Sequence, residues 1–285
     1  MAINLSEVSY TYTPKRNKKL NNYVLADANL KIETTGEFIA VVGHTGSGKS
    51  TLIQLLNALL IPTVGSVDID GNVITNKKYK NLKSVRKKVG LVFQFAEYQL
   101  FEETVLKDIS FGPVNFKMEN AIEKAKDACE LVGLDESFFE KSPFRLSGGE
   151  MRKVAIAGIL ASNPDVLVLD EPTVGLDPLS RMELLKLLQK IHENGKTVII
   201  VTHDMDAVGL LAKRVLVLDE SDIVFDGDKD ELFRNEEFIK KHSLDLPDTI
   251  KILKELKAKL NIDIDVYKYN INDAYQEIKR GMKNE

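Results

Sequence analysis

Long apolar runs separated by amphipathic segments dominate the middle of this chain. Runs of this kind are typical of strands buried on both faces of a parallel sheet. Between them lie patterns with apolar residues three and four positions apart, which favour helices, as over residues 178–194. The alternation predicts an α/β fold with a doubly wound parallel sheet. The predicted core strands lie within residues 38–42, 89–94, 164–172, 196–204 and 214–227.

The first 75 residues carry a different, alternating pattern. Residues 3–12 and 23–33 alternate apolar and polar side chains, which predicts two strands of a small antiparallel sheet beside the central one. The pair Asp70-Gly71 within residues 61–75 predicts a hairpin. The basic residues of the loop between the first two strands are interpreted as a solvated loop tip. They are Lys15, Arg16, Lys18 and Lys19.

Two further regions are helical in pattern. Residues 95–162 contain an aromatic-rich segment and a clear amphipathic helix at 119–134, which predicts a helical subdomain inserted into the α/β core. The tail, residues 243–285, starts an amphipathic helix at Pro247 and ends in a second helical pattern. It is a capping appendage, a dimerisation element, or helices that pack only on their own core, and the pattern leaves these open. The predicted boundary of the main domain is therefore 1–242.

Composition narrows the class of protein further. The 285 residues carry a net charge of −4, which argues against a protein that wraps nucleic acid through a basic surface. The single cysteine, Cys129, excludes an internal disulfide and is expected to be a small buried apolar residue. No apolar run approaches the ~20 residues that span a bilayer, and the N-terminal residues show no signal-peptide pattern. We therefore expect a cytoplasmic chain whose membrane contact comes only through a partner.

The motif GHTGSGKS at residues 43–50 follows the first core strand and precedes a helical pattern. A strand, a glycine-rich loop and a helix in that order fit the phosphate-binding pattern G-x-x-x-x-G-K-[ST]. Its glycines let successive backbone N–H groups point into one hollow, and the helix adds its positive end. Lys49 is placed to reach the β- and γ-phosphates, and the Ser50 hydroxyl to bind Mg²⁺. The predicted nucleotide-binding residues here are Gly43, His44, Thr45, Gly46, Ser47, Gly48, Lys49, Ser50 and Thr51.

Two tyrosines of the first predicted strand share one face, because strand residues two apart point the same way. Tyr12, the nearer of the two to the phosphate loop, is our candidate for stacking on an adenine ring. Tyr10 and Tyr12 fit equally well as aromatics that pack on the core at the edge of the sheet, because aromatics favour strands.

Four polar residues stand at the carboxyl ends of three predicted core strands. Asp170 and Glu171 end one apolar run, and Gln94 and His203 end two others. Ligands of an open parallel sheet bind at the carboxyl edge of its strands, so we expect the four to converge there. Asp170 is a candidate Mg²⁺ ligand, and Glu171 is the candidate base for the water that attacks the γ-phosphate. Gln94 is a second candidate ligand or water partner and His203 a candidate γ-phosphate partner, although singly each is more often an ordinary polar cap.

The motif LSGGE at residues 146–150 precedes another helical pattern. Ser147 and the amides of Gly148 and Gly149, at a helix N-terminus, form a second phosphate-binding surface. One chain has no need of two such surfaces for one nucleotide. A head-to-tail dimer explains both, with each Ser147 reaching the γ-phosphate that the other chain's loop holds.

These motifs occur in the order and spacing of the ATP-binding-cassette ATPases, which the chain resembles over roughly residues 1–240. The resemblance implies a P-loop (RecA-like) parallel sheet core with an N-terminal antiparallel β-subdomain and an inserted α-helical subdomain. It also implies ATP and Mg²⁺ sandwiched between two cassettes, and a transmembrane partner. It supports Tyr12 as the adenine stacker, and it implies that Asp177 of the motif GLD couples the two sites across the dimer.

A closer resemblance is to the ATPase subunits of energy-coupling-factor transporters, which import vitamins and transition-metal ions in prokaryotes. It is carried by His44, by FQFAEYQLFEETVLKDISFGPVNF at residues 93–116, and by MRKVAIAGILASNPDVLVLDEPTVGLDP at residues 151–178. The helical C-terminal extension is similar to that family's dimer-contacting tail. Two positions depart from the pattern: Glu150 stands where glutamine is commoner, and Ala96 where proline is usual.

By this resemblance the chain pairs with a second, related ATPase or with itself, and drives a shared transmembrane coupling subunit. A separate membrane subunit captures the substrate, and the ATPase is peripheral at the cytoplasmic face of the cell membrane. Phe95, Tyr98 and Phe101 are the candidates for gripping a coupling helix, with burial in the helical subdomain as the alternative.

Other functions fit parts of the pattern. A cassette ATPase that acts on nucleic acid or ribosomes usually has a long coiled-coil insertion or two cassettes, and this sequence has neither. A non-hydrolysing regulatory subunit would have lost Glu171, Lys49 or His203, and all three are present. A phosphoryl-transferring kinase has no use for LSGGE. The transported substrate is not encoded in these motifs.

Overall fold

The structure is a computed structural model that describes residues 2–14 and 22–282. The basic residues Lys15, Arg16, Lys18 and Lys19, predicted to form a solvated loop tip, lie outside the described residues. The strands are β1 (Ala2–Tyr10), β2 (Leu25–Glu33), β3 (Phe38–Val42), β4 (Val64–Ile69), β5 (Asn72–Ile74), β6 (Val89–Val92), β7 (Val166–Asp170), β8 (Thr197–Val201), β9 (Arg214–Asp219) and β10 (Asp222–Asp228). The helices are α1 (Lys49–Leu56), α2 (Leu82–Lys88), α3 (Val105–Asn115), α4 (Ala121–Leu131), α5 (Gly148–Leu160), α6 (Pro178–Glu193), α7 (Met205–Leu211), α8 (Lys229–Arg234), α9 (Glu236–Lys241), α10 (Asp248–Leu260) and α11 (Ile271–Gly281).

The central sheet has six strands in the order β10-β9-β3-β8-β7-β6. β9, β3, β8, β7 and β6 run parallel, and β10 pairs antiparallel with β9 at one edge. Every residue of β3, β6, β7 and β8 is buried, because both faces of the sheet are covered by other layers. The predicted α/β fold with a parallel core is confirmed.

A second sheet has four antiparallel strands in the order β2-β1-β4-β5. The predicted antiparallel sheet and the hairpin at Asp70-Gly71 therefore belong to one layer. Helix α1 lies between the two sheets, where Leu52, Ile53, Leu55 and Leu56 are fully buried among residues from both. This packing fixes the direction of α1, so the loop that precedes the helix opens at the carboxyl edge of the central sheet.

Helices α3, α4 and α5, with most of the later helices, cover the other face of the central sheet. Cys129 of α4 is fully buried in this layer, as predicted, and burial raises the pKa of its thiol to about 11. The three helices lie within the predicted subdomain of residues 95–162, whose limits stay a prediction.

The last two helices form a small cluster of their own, in which Leu253 of α10 and Ala274 of α11 pack on Ile262 and Ile264. The cluster is joined to the main domain through Tyr269, whose ring lies 4.3 Å from Lys229 Nζ. The extension thus packs on its own core and on the main domain, where Ile250 of α10 is fully buried in the core that covers the central sheet. Exposed apolar side chains remain on α11, with Ile271 80% exposed, so a dimerisation role stays open as well.

Candidate functional site

The phosphate loop lies between β3 and α1, and its backbone needs glycine at defined positions. Gly43 and Gly48 have φ angles of 142° and 104°, a region that side chains rarely adopt. A Cβ atom at Gly43 would lie 2.1 Å from the carbonyl oxygen of Leu218, and one at Gly48 would lie 2.5 Å from that of Val24. The backbone of Leu218 in β9 and that of Val24 before β2 therefore lie directly against the loop, and a side chain at Gly43 or Gly48 would clash with them.

Lys49 begins α1 and turns back over the loop. Its Nζ donates to the carbonyl oxygens of Gly43 and His44, at 2.8 Å each. Partial burial lowers the pKa of Lys49, while the nearby carboxylates of Glu171 and Asp170 raise it. Lys49 also lines a small cavity of ≈ 120 Å³, together with Val24, Gly46, Gly48, Ser50 and Thr51.

Asp170 is the last residue of β7 and is buried beside α1. Burial raises the pKa of its carboxyl group and the neighbouring Glu171 adds to the rise, while a hydrogen bond with Ser50 and the charge of Lys49 oppose it. The structure thus brings Ser50 and Asp170 together, as predicted for a magnesium site.

A hydroxyl and a carboxylate are the hard oxygen ligands that Mg²⁺ prefers. Within residues 2–14 and 22–282, no group of three or more His, Cys, Asp or Glu side chains could hold a metal. This arrangement fits an ion that takes its remaining ligands from nucleotide phosphates and water, as Mg²⁺ commonly does.

Glu171 and His203 follow the adjacent strands β7 and β8 and meet at the same edge. Glu171 has a left-handed φ of 46°, and its N–H donates to the carbonyl oxygen of Val201 at 2.8 Å. This turn directs the carboxylate toward His203, whose Nδ1 lies 3.0 Å from Glu171 Oε2. Oε2 is buried without an aligned hydrogen-bond donor, so it is available to accept a proton or a hydrogen bond from a bound water.

Gln94 and His203 do not end their strands, as the sequence predicted, but lie just beyond them. β6 stops at Val92 and β8 at Val201, so each polar residue lies two positions beyond its strand. The Gln94 carbonyl oxygen accepts a hydrogen bond from Arg152 at 3.5 Å. The role of the Gln94 amide as a metal ligand stays a prediction.

The strand predicted over residues 3–12 is shorter in the structure, because β1 ends at Tyr10 and Tyr12 lies two positions beyond it. Its ring is 56% exposed and meets Tyr10 edge-on, with centroids 5.0 Å apart. Its hydroxyl lies 3.2 Å from Thr51 Oγ1 on the phosphate-loop helix. The exposed ring thus stands beside the loop, where it is open to a stacking partner.

Arg152 on α5 is a residue that the sequence motifs did not single out. It is buried, and its Nη1 donates to the carbonyl oxygens of Pro172 and Val174 at 2.7 and 2.8 Å. Burial lowers the pKa of its guanidinium, and Glu97, 3.8 Å from Nη2, opposes that shift. One side chain therefore ties the segment after Glu171 to the segment after Gln94. The sequence did contain a hint of this role, because Arg152 is a basic residue within the otherwise apolar pattern of the helix that follows LSGGE.

Asp204, next to His203, is held by a second arginine outside the motifs. Arg181 of α6 forms a two-pronged pair with it, with both nitrogen–oxygen distances at 2.8 Å. The Asp204 side chain also accepts from the backbone N–H of Ala207, which caps α7. The His203 loop is therefore fixed between α6 and α7.

The residues predicted to act across a dimer begin two helices. Ser147 caps α5, with Glu150 completing a reciprocal capping box. Asp177 caps α6, where it accepts hydrogen bonds from the Ser180 hydroxyl and from the backbone N–H groups of Leu179 and Ser180. The bond from the Ser180 hydroxyl, followed by the backbone bonds, lowers the pKa of Asp177. The two caps lie on neighbouring helices, since a Cβ at Gly149 would stand 3.2 Å from Ser180 Oγ. Their action on a second chain stays a prediction.

His44 in the phosphate loop joins a histidine–aspartate–histidine cluster that the sequence did not predict. Its Nε2 lies 2.9 Å from one oxygen of Asp219, and Nδ1 of His242 lies 2.6 Å from the other. Asp219 ends β9, and His242 directly follows α9. Hydrogen bonding to His242 and the charges of both histidines lower the pKa of Asp219. The phosphate loop is thus connected, through Asp219, to the residue that directly precedes the C-terminal extension.

A groove of ≈ 340 Å³ lies between β6 and helices α3 and α5. Its apolar lining includes Phe93, Phe101, Phe111 and Phe116. Of the three candidate docking aromatics, Phe101 lines this groove, while Phe95 and Tyr98 are 49% and 84% exposed. All three are solvent-accessible, so burial in the helical subdomain does not account for them.

Comparison with known proteins adds independent information. Residues 25–174 match the sequence profile of the ABC transporter family. The chain is 47% identical to the energy-coupling factor transporter ATP-binding protein EcfA2 of Streptococcus pneumoniae, over 95% of this chain and 100% of that protein. It is 50% identical to EcfA2 of Bacillus subtilis, over 90% of this chain and 94% of that protein.

Solved structures agree in fold. CbiO1 of Clostridium perfringens, part of the ABC transporter complex cbiONQ, superposes with a TM-score of 0.72 at 32% identity, covering 91% of this chain and 95% of that one. The ATP-binding cassette MJ0796, in a dimeric post-hydrolysis state with ADP and phosphate, superposes with a TM-score of 0.69 at 31% identity, covering 79% and 98%.

No helix in the described part of the chain is long and apolar enough to cross a membrane. The phosphate loop, the carboxylates of Asp170 and Glu171, and His203 meet at one edge of the central sheet, on the fold of the solved cassettes. The chain is an ATPase that belongs to the ABC transporter family and, within it, to the energy-coupling factor transporter ATP-binding proteins.

Proposed function

We propose that this chain is the ATP-hydrolysing motor subunit of an energy-coupling-factor-type importer. The observation that carries the proposal is the convergence of Lys49, Ser50, Asp170, Glu171 and His203 at the carboxyl edge of the central sheet. The identity of about one half to EcfA2 proteins over nearly the whole chain supports the transporter assignment.

The phosphates of ATP lie in the phosphate loop, where Lys49 exchanges its two carbonyl partners for the β- and γ-phosphate oxygens. Ser50, Asp170 and Gln94 are the residues that would hold Mg²⁺, which neutralises phosphate charge when bound. Tyr12 stacks on the adenine ring. The buried hydroxyl of Ser47, which has no hydrogen-bond partner in the described structure, is a further group that a phosphate oxygen can satisfy.

Glu171 acts as the general base. Its Oε2 accepts a proton from the water that attacks the γ-phosphate, and His203, exposed at the same edge, donates a hydrogen bond to the γ-phosphate. Arg152 and the pair of Arg181 with Asp204 hold the three segments that carry Gln94, Glu171 and His203.

The site is completed by a second ATPase chain, either another copy or a related subunit. Ser147, Gly148 and Gly149 of each chain reach the γ-phosphate held by the other, and Asp177 couples the two sites. The dimeric cassette that superposes on this chain supports such an assembly. ATP binding closes the dimer, and hydrolysis with phosphate release opens it.

The motion is passed to a transmembrane coupling subunit through the groove and its rim, at Phe95, Tyr98 and Phe101. A coupling helix with apolar side chains fits this aromatic lining. A separate membrane subunit captures a vitamin or a transition-metal ion, and the ATPase is peripheral at the cytoplasmic face of a prokaryotic membrane. Nucleic acid has no part in this function, in keeping with the net charge of −4.

Affinity purification of the tagged chain from detergent-solubilised membranes tests this proposal. Mass spectrometry should identify a second ATPase subunit, or the chain alone in two copies, together with a transmembrane coupling subunit and a substrate-capture subunit. Phe101→Asp should release the membrane subunits but leave the fold intact, with exposed Tyr79→Asp as the control. A chain recovered only from the soluble fraction, without membrane subunits, would exclude a transporter role.

A further inference from the structure

Ser147 already donates hydrogen bonds to a carboxylate of its own chain, that of Glu150. Oε2 of Glu150 accepts the backbone N–H of Ser147 at 2.8 Å and its hydroxyl at 2.7 Å. The Ser147 oxygen in turn accepts the N–H of Glu150 at 3.3 Å. Both donors of Ser147 therefore point at one carboxylate oxygen at the first turn of α5.

These are the same donors that Ser147 has to offer a phosphate. A serine hydroxyl carries one proton, so it can donate to Glu150 or to a phosphate oxygen, but not fully to both. The hydrogen bonds from Ser147 lower the pKa of Glu150, so its carboxylate is ionised at neutral pH. An incoming γ-phosphate thus meets a like charge as well as a competing acceptor at the helix N-terminus.

We propose that Glu150 is a positioning residue that holds the Ser147 hydroxyl away from the partner's γ-phosphate and so raises the ATP concentration needed to close the dimer. The inference rests on the proposed composite site. It gives a functional meaning to Glu150, the position of LSGGE at which glutamine is commoner in the family that the chain resembles.

Glutamine is a suitable test substitution because it keeps the shape and the cap. Its amide oxygen still accepts the N–H of Ser147, and glutamine serves as well as glutamate at this position of a capping box. The substitution removes the negative charge. The neutral amide oxygen is also a weaker acceptor than the carboxylate, so the Ser147 hydroxyl can turn more easily to a phosphate oxygen. Glu150→Gln therefore separates electrostatic competition from helix capping.

The experiment measures dimer closure against ATP concentration in the purified ATPase assembly, using fluorescence energy transfer between labels on the two chains. The Glu171→Gln background prevents hydrolysis from resetting the dimer. Glu150→Gln should lower the half-saturating MgATP concentration about three- to fivefold, the size of effect expected for one charge at a helix N-terminus. The difference should shrink as salt rises from about 0.05 M to about 0.5 M, because salt screens exposed charges.

Glu183→Gln is the matched control. Glu183 lines the same ≈ 250 Å³ cavity as Ser147 and Glu150, but its carboxylate pairs with Lys153 at 2.8 Å instead of Ser147. It should leave the half-saturating concentration unchanged. Nucleotide affinity of the undimerised chain should be the same in all variants, because Glu150 acts only on the partner's phosphate.

Several results would overturn the inference. These are an unchanged or higher half-saturating concentration in Glu150→Gln, an equal shift in Glu183→Gln, or a shift that is insensitive to salt. Glu150→Ala, which also removes the competing carboxylate, should shift closure in the same direction while lowering the melting temperature through loss of the cap. If the parent assembly does not close at any ATP concentration, the composite site itself is wrong and the inference falls with it.

Discussion

At the scale of single residues, the candidate site depends on groups whose buried charges are balanced by one another. Lys49 sits between the loop carbonyls and the carboxylates of Asp170 and Glu171. Burial raises the pKa of Asp170 and lowers that of Lys49, so each ion is costly alone. A nucleotide with its metal ion supplies charges of both signs to this edge, and we infer that it stabilises the arrangement.

Replacing Tyr12 tests its stacking role. Tyr12→Ala should raise the Kd for ATP roughly fivefold, since stacking of a base on an aromatic ring contributes about 1 kcal/mol or more. Equilibrium binding of a fluorescent ATP analogue labelled on the ribose measures the change. Tyr12→Phe is the control, because it keeps the ring and loses only the hydroxyl near Thr51. Equal affinity in Tyr12→Ala and wild type would exclude stacking.

Arg152→Met should weaken both the fold and turnover. The substitution keeps the length of the side chain but leaves the carbonyl oxygens of Pro172 and Val174 without their donor. Buried groups without a hydrogen bond cost about 1–3 kcal/mol each, so the free energy of unfolding should fall by a few kcal/mol. Denaturant unfolding and steady-state ATPase measurements check these effects. Exposed Arg145→Met is the control, and an unchanged kcat in Arg152→Met would contradict the positioning role.

At the scale of elements, the starts of α5 and α6 have one use in the single chain and a second in the dimer that we propose. Ser147 and Asp177 cap their own helices in the single chain, and the proposed dimer uses the same ends to face the partner's nucleotide. A helix N-terminus suits both uses because its first N–H groups have no partner within the helix.

Changing the start of α5 should separate nucleotide binding from dimer closure. We expect Ser147→Ala combined with Gly149→Asp to retain ATP binding by the single chain, because the phosphate loop is untouched. Closure should be lost, since the hydroxyl is gone and an added carboxylate repels the partner's phosphate. Light scattering with MgATP in the Glu171→Gln background reports closure, and normal closure would count against the composite site.

The cluster of His44, Asp219 and His242 predicts a pH effect on stability. The pKa of Asp219 is lowered from its ordinary value of 3.8, chiefly by hydrogen bonding to His242. Its pairing therefore stabilises the fold above about pH 4, and this stabilisation is lost as the pH falls through the lower folded-state pKa.

Asp219→Asn should therefore lower stability at neutral pH and flatten the loss of stability below about pH 4. Urea unfolding at several pH values measures this dependence. Asp127→Asn, which removes an exposed carboxylate on α4, should leave the stability below about pH 4 nearly unchanged. If the free energy of unfolding of Asp219→Asn fell below about pH 4 in the same way as that of the wild type, the cluster would contribute nothing to stability.

The helices, strands and loops of this site were predicted from the sequence, but the long-range side-chain contacts that join them were not. The glycine-rich loop, the buried strand before Asp170 and the helix after Ser147 follow from local patterns, because spacing and apolar runs are properties of neighbouring residues. The contacts of Arg152 with residue 172 and of Asp219 with residue 44 join distant parts of the chain. No local pattern encodes such pairings, since they depend on how the layers pack.

At the scale of the whole molecule, the groove and the catalytic edge share elements. The groove lies against β6 and α5, while Gln94 follows β6 and Arg152 lies on α5. The membrane partner that we propose for this groove would therefore contact the elements next to Gln94 and Arg152. The aromatic sequence after Gln94 supplied the candidate docking residues, whose docking role stays a prediction. The groove could not be predicted from the sequence, because it is formed by the packing of α3 and α5 against β6.

Turnover by the Glu171→Gln variant of the membrane-purified assembly tests the central claim most directly. Phosphate release and retained ATP are measured together on the same sample, with Glu103→Gln, on the exposed surface, as the matched control. Loss of the general base should lower kcat by about 100-fold or more while ATP remains bound in a closed dimer. Wild-type phosphate release by Glu171→Gln would contradict the assignment of Glu171 as the base and, with it, the proposed mechanism.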